Sequence, residues 1–354
     1  MAYTNINDPS AFFQVALFDG TAGDNNAITN DGNSDLKPDW LLFKHRTASN
    51  QDWYVVDSSR GSTKGLATNS NAAETTSSSS TKDFQTFNTD GFTVGTPEDT
   101  NACNSGGTHA AWQWKCNGGT TSTNTDGDIN STVQVNSDAG FSIVQYNPSN
   151  ATARSIGHGL GVQPQVVIVR ARDRVENWRV FHRGAGTTGS LMLDSDSAYN
   201  SNTVLFAADS TSTVFKVGTD FSVNGAYNYI AYCFAEKQGY SKFGTYTGNA
   251  ITNGPFIYTG FKPACIITKT VDAVEGWGIY DNKRLGFNVY NDVLSINSQG
   301  ATYGGANYNF MDILSNGFKC RRATYGPNQS AKYIYMAFAE NPFVTSTGIP
   351  TTAR

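Results

Sequence analysis

One short pattern occurs three times in this 354-residue chain: a proline, an apolar run, and a basic residue six places after the proline. It reads Pro38-Asp-Trp-Leu-Leu-Phe-Lys44, then Pro164-Gln-Val-Val-Ile-Val-Arg170, then Pro263-Ala-Cys-Ile-Ile-Thr-Lys269 within the stretch GPFIYTGFKPACIITK. The register continues downstream. Eight or nine residues after each basic residue stands a tryptophan (Trp53, Trp178, Trp277) opening WYVVD, WRVFH or WGIYD. Phe92, Phe215 and Phe318 follow, and each unit closes on an aromatic run: HAAWQWK at 109–115, YIAYCFAE at 229–236, YIYMAFAE at 333–340. A repeat held over so many positions means one supersecondary unit used three times.

The unit reads as β. Aromatic and β-branched residues alternate between clusters of Gly, Asn, Asp and Pro, and almost no run has a helical period. In the third unit the expected strands are 243–247, 255–259, 264–269, 277–280, 292–297, 309–314, 317–321 and 332–340. Phe12–Phe18, Phe141–Tyr146 and Phe243–Tyr246 are expected to open the three units. Eight short strands in about 100 residues point to an antiparallel sandwich. The expected fold is therefore all-β, three tandem antiparallel β-sandwich repeats of jelly-roll or lectin-like type. The boundaries are an arm (1–11), repeat one (12–117), a linker (118–140), repeat two (141–239), repeat three (240–341) and a tail (342–354). Trp53, Trp178, Trp277, Phe92, Phe215 and Phe318 form the repeat core, with Leu41, Phe43, Val167, Val169, Ile266, Trp114, Phe234 and Phe338 beside them. The insert 69–83, TNSNAAETTSSSSTK with its flanks, is expected to be a surface loop.

Charge excludes several classes of function. Charged residues are 15% of the chain and the net charge is −4. No Lys/Arg cluster interleaves with aromatics, so nucleic acid is not an expected partner. No apolar run approaches the roughly 20 residues a membrane span needs, and the N-terminus lacks a basic-then-apolar signal pattern. Of the five cysteines, Cys265, Cys233 and Cys320 fall where the other units carry Trp40 and Val166, Gln113 and Ala337, and Val94 and Val217. They read as small buried residues of a chain folded in a reducing compartment, with a Cys103–Cys116 bridge as the alternative. No C-x-x-C pair or metal-spaced histidines occur, so no cofactor is expected. Asp126 and Asp128 have the alternate spacing of a calcium loop, but no bidentate Glu follows and a turn is the stronger reading.

Catalytic constellations are weak. Glycan hydrolysis uses two facing carboxylates, and the repeat-equivalent pairs Glu176/Glu275 and Glu236/Glu340 have the look of caps and ion pairs. Asp57 and Asp281 are equivalent to His182, so a shared catalytic role fails. Gly157-His-Gly-Leu-Gly161 precedes a strand rather than opening a helix and is expected to be a tight turn. The chain is expected not to be an enzyme. Should it bind glycan, the candidate contacts are Tyr246, Tyr258, Tyr303, Tyr308 and Tyr325, whose rings offer a stacking face with a polar tip.

The stretches MAYTNINDPSAFFQVALFDG, ITNDGNSDLKPDW, TDGDINSTVQVNSDAGFSIVQY, IGHGLG, SKFGTYTGN, GPFIYTGFKP and YIYMAFAENPF resemble a family of tailed-phage virion proteins common in phages of marine bacteria, cyanophages included. The similarity spans nearly the whole chain, and WQWKCNG and the insert 69–83 depart from it. The resemblance implies a structural component of the particle, tail-fibre-like or lectin-like, made in the host cytoplasm without a signal peptide. It assigns no catalytic residue. The expectation is a tail-associated protein acting in host attachment; a head decoration protein and a capsule depolymerase are the alternatives. Other virion proteins, further copies of the chain and host-surface glycan are the expected partners. The arms 1–11 and 342–354 lack apolar alternation and are expected to run across a neighbouring subunit.

Overall fold

The computed structural model describes residues 3–79, 81–98, 103–148, 152–305 and 308–351. The fold is all-β: among the described residues the only helical turn is the 3₁₀ segment Pro9–Ala11, and every ladder between strands is antiparallel.

The strands sort into three large sheets, each accompanied by a three-stranded one, with a two-stranded ribbon (Lys64–Gly65 and Thr75–Thr76) besides. The first large sheet has the order Phe13–Gly20, Gly107–Trp114, Trp40–His45, Tyr54–Asp57. The second runs Ser122–Asn124, Ser131–Asn136, Phe141–Tyr146, Tyr229–Phe234, Val166–Ala171, Arg179–His182, Leu191–Met192. The third runs Ser241–Thr247, Lys332–Pro342, Phe261–Thr270, Gly278–Asp281, Asp292–Ser295, Tyr303–Gly304. In each, the opening, closing, proline and tryptophan strands follow in that order. The register matches as well. Trp40 faces Trp114 and Asp57, Val166 faces Phe234 and His182, and Cys265 faces Phe338 and Asp281. The opening strands align two residues away from the expected place in the third sheet, where Ser241, not Phe243, stands opposite Phe338 as Phe13 and Phe141 stand opposite Trp114 and Phe234.

Apolar side chains fill the space between each large sheet and its small partner. Leu41, Phe43 and Val56 meet Phe84, Phe92 and Val94 in the first pair. Val167, Val169 and Phe181 meet Phe206, Phe215 and Val217 in the second, and Ile266, Tyr280 and Ala337 meet Ile313, Phe318 and Cys320 in the third. The opposite faces of the three large sheets are buried too, and they share one cluster. Trp40, Leu42, Trp53 and Trp114 lie there with Val166, Trp178 and Phe234, and with Cys265, Trp277 and Phe338. This explains why Trp40–His45 and Val166–Ala171 are buried at every position instead of alternating: a sheet covered on both faces needs continuous apolar runs.

The repeated tryptophan and basic residue join one sheet pair to the next. Trp53 Nε1 donates to Ser295 O (2.9 Å) and Ser298 O (3.2 Å) of the third pair, Trp178 Nε1 to Ala67 O of the first (2.8 Å), and Trp277 Nε1 to Met192 O of the second (2.7 Å). The cations run the same way round. Lys44 Nζ donates to Gln299 O (3.0 Å), an Arg170 guanidinium nitrogen to Ala72 O, and Lys269 Nζ to Asp196 O (3.1 Å). Each pair thus bonds to the preceding one, and the first bonds to the third, which closes a ring. Buried ion pairs add to it: Asp57–Arg60 (2.5 Å), with Asp57 also accepting from Tyr232 Oη (2.7 Å), and Asp281–Arg284 (2.6 Å), with the Arg284 guanidinium over the Trp112 ring. His182, at the equivalent place, contacts Tyr335 O (3.2 Å).

Several expectations are corrected. The segment 118–140 is not a linker, because Ser122–Asn124 and Ser131–Asn136 are strands of the second large sheet. Cys103 and Cys116 form no bridge; all five thiols are free and buried. The insert 69–83 is largely at the surface, yet it is anchored: Glu74 bonds Arg60 (3.1 Å) and Arg172 (2.9 Å), and Asn71 O accepts from Glu176 N (3.0 Å). The described parts of the arms sit on their own chain. Ile6 is buried in the shared cluster, Thr4 Oγ1 donates to Gln238 O (2.7 Å), Asn341 and Pro342 belong to the closing strand, and Ser346 bonds Asn7. Arg354, at the end of the tail, lies outside the described residues.

Candidate functional site

A cleft of about 540 Å³ opens at the seam between the third sheet pair and the first. Its base is the start of the strand Gly278–Asp281 with Trp277 and Tyr280, its far wall is the segment Ser298–Tyr303, and Tyr325 and Gly326 close the other side. Ser49 of the first pair completes it.

The far wall is held from the first pair. Thr302 N donates to Arg46 O (2.8 Å), Gln299 Nε2 to Asp52 Oδ1 (2.7 Å), and Ser298 O and Gln299 O accept from Trp53 and Lys44. The opposite side is held by Glu275, which accepts from Gly326 N (3.4 Å) and Gln329 Nε2, and by Tyr333 Oη donating to Gly326 O (2.9 Å). These bonds carry the chain through a tight turn. Gly326 has φ +77° and Tyr325 has φ +29°, a left-handed placement that costs a residue with a Cβ about 1–2 kcal/mol. Such strain persists only where the surroundings enforce it.

Three tyrosines gather at the mouth. The Tyr303 and Tyr308 rings are 4.8 Å apart, and the Arg322 guanidinium lies over Tyr308 (4.6 Å) and Tyr325 (4.3 Å). Hydrogen bonding of its O–H with the Tyr308 and Tyr325 side chains holds the Tyr303 hydroxyl well above the usual phenol range. Tyr303 and Tyr325 are exposed on one face. Of the five candidate contacts, these three are brought together. Tyr258 is exposed elsewhere, beside Tyr3. Tyr246 is corrected: its ring is buried between the third pair's sheets, stacked on Tyr333 at 4.9 Å, with its hydroxyl bonded to Pro327 O (2.7 Å), so it touches no external ligand.

One position in the cleft lining carries no side chain. Tyr54, Arg179 and Gly278 occupy the position after each repeated tryptophan, with alternation aiming it between the two sheets of a pair. Tyr54 is buried there, and Arg179 Nε bonds Ser222 Oγ (2.9 Å). At Gly278 the Tyr280 side chain lies over the bare backbone, so that a Cβ would come within 2.9 Å of Tyr280 Oη. The sequence showed the triplet Trp-Tyr, Trp-Arg, Trp-Gly, but the glycine carried no signal until the direction of the position was known.

The charges within the cleft are satisfied by the protein. Lys269 Nζ has three acceptors, Asp196 O, Thr270 O (3.0 Å) and Thr270 Oγ1 (3.2 Å), and burial pushes its ammonium down to about 8. Glu275 is the one carboxylate in the lining. Thr302 Oγ1, by contrast, is buried with no partner.

The remaining candidates are structural. Trp53, Trp178, Trp277, Phe92, Phe215 and Phe318 are all buried. Asp128 accepts from Ser155 N and Oγ (both 2.8 Å), and Asp126 N bonds Asn124 Oδ1 (3.0 Å) in a turn. Among the described residues no group of three or more His, Cys, Asp or Glu could hold a metal ion. No curated protein and no solved structure matches the chain. Residues 8–342 match the family described as a domain of unknown function (DUF7483), which covers nearly the whole fold, and the chain belongs to that family.

Proposed function

We propose that this is a non-enzymatic structural protein on the surface of a tailed-phage particle, tail-associated and used in attachment to host-surface glycan. Its body is three tandem antiparallel β-sandwich repeats fused into a ring. The observation that carries the glycan reading is the cleft lined at its mouth by Tyr303 and Tyr325, with Tyr308 packed against Tyr303. Aromatic faces with polar tips beside a row of hydroxyls suit a saccharide, which is apolar on its ring faces and polar at its edges. The phage setting rests on the resemblance of the opening and closing segments to virion proteins. Against a depolymerase stands the cleft's single carboxylate, Glu275, because glycoside hydrolysis uses two; its oxygens are engaged by Gly326 N and Gln329 Nε2.

Purified protein should compete with the phage for adsorption to its host, and Tyr303→Ala with Tyr325→Ala should abolish that competition without lowering thermal stability. Immunogold label should fall on the tail. Label on the head would favour capsid decoration. Release of reducing ends, lost in Glu275→Gln, would establish the depolymerase.

A further inference from the structure

We infer that the chain carries one saccharide site, the cleft beside Gly278, selective for uncharged sugars. The inference rests on the glycan reading and deepens it. Its first ground is the pseudo-equivalence of Tyr54, Arg179 and Gly278. Two of the three sheet pairs have a side chain at this position, and the third has none. A volume of about 540 Å³ lies within the ~300–1,000 Å³ typical of small-molecule clefts.

The second ground is the state of the polar groups. An anionic sugar is held by a cation with donors to spare, but all three Lys269 ammonium protons have acceptors inside the protein. A cationic sugar would use Glu275, whose oxygens already take the Gly326 amide and the Gln329 amide. What the cleft offers instead is Thr302 Oγ1, buried and unpartnered, and the ring faces of Tyr303 and Tyr325 at the mouth. A buried hydroxyl without a partner costs free energy that a ligand hydroxyl can recover. A hydroxyl facing ligand hydroxyls, with tyrosine rings alongside, describes recognition of a neutral hexose or N-acetylhexosamine.

The test uses the full chain on an immobilised panel of neutral hexose and N-acetylhexosamine oligosaccharides, beside uronic- and sialic-acid ones, followed by calorimetry with the best binder. Neutral sugars should bind at one per chain, with affinity changing less than about twofold across a tenfold salt range, since no ion pair is there to be screened. Gly278→Arg and, from the neighbouring strand, Val293→Phe should each weaken binding at least about tenfold by filling the cleft; agreement between them guards against a folding defect in either. Three sites per chain, or full affinity in both variants, would overturn this inference alone. Binding confined to acidic sugars and lost in Arg322→Ala would place recognition at the guanidinium and overturn the selectivity. Binding of no sugar would overturn the glycan reading as well.

Discussion

Replacing Trp53 by Phe tests whether the ring closure between the first and third sheet pairs builds the cleft. Phenylalanine keeps an aromatic ring in the shared core and removes the indole donor. Ser295 O retains the Ser298 amide (3.1 Å), so Ser298 O is the carbonyl that loses its Trp53 partner. Leaving this part-buried carbonyl unsatisfied costs about 1–2 kcal/mol, and the smaller ring adds about 1 kcal/mol. Trp53→Phe should therefore lower the unfolding free energy by roughly 2–3 kcal/mol in urea titration followed by fluorescence. Trp178→Phe is the matched control, because its donor meets Ala67 O, away from the cleft. Both variants should lose similar stability, but only Trp53→Phe should also weaken ligand binding, because Ser298 begins the cleft wall. Equal effects on binding from the two, or unchanged stability in Trp53→Phe, would refute the reasoning.

Acid should destabilise the fold. Burial holds His109 and His182 down to about 4, so between about 6.5 and 4 the unfolded chain binds more protons and stability falls with falling pH, by up to about 3 kcal/mol per histidine. Asp194, raised to about 6 by burial, opposes this over part of the window, and His182→Gln should flatten the urea midpoint against pH. Thiol titration with a chromogenic disulfide should find none of the five cysteines reactive in the native protein and all five after denaturation, because burial raises their thiols; a native count of two or more would contradict the packing. Phe338→Ala, at the meeting of Phe13, Trp114, Phe234 and Phe243, should cost about 3–5 kcal/mol, and a calorimetric scan matching the wild type would count against the shared core.

Strand positions were largely legible. In the third pair, the expected 264–269, 277–280 and 317–321 fall on Phe261–Thr270, Gly278–Asp281 and Gly317–Cys320. The second face of the large sheets was written in the sequence but easy to miss, since Leu41-Leu42-Phe43 and Val166–Val169 are apolar at every position and a one-sided sheet would alternate. Lys44, Arg170 and Lys269 marked the repeat without revealing their work, because a buried cation capped by backbone carbonyls has no acidic partner to betray it. Segment 118–140 misled through its Asn, Asp and Gly content, although Ser131–Asn136 carries Val133 and Val135 in strand alternation. Among the tyrosines, a strand position alone could not separate Tyr246 from Tyr303: both stand on edge strands of the same sheet, but Tyr246 points into the core between the third pair's sheets and Tyr303 is exposed.

Because the three sheet pairs belong to one polypeptide, each can change without the others. In a ring assembled from three identical chains, a glycine at this position would be copied threefold, and every copy would lose the packing that Tyr54 and Arg179 supply. Here two pairs keep that packing and act as braces, while the third carries a bare glycine there and a strained tyrosine nearby. Covalent linkage also makes ring closure independent of protein concentration, since the first and third pairs meet as an intramolecular event.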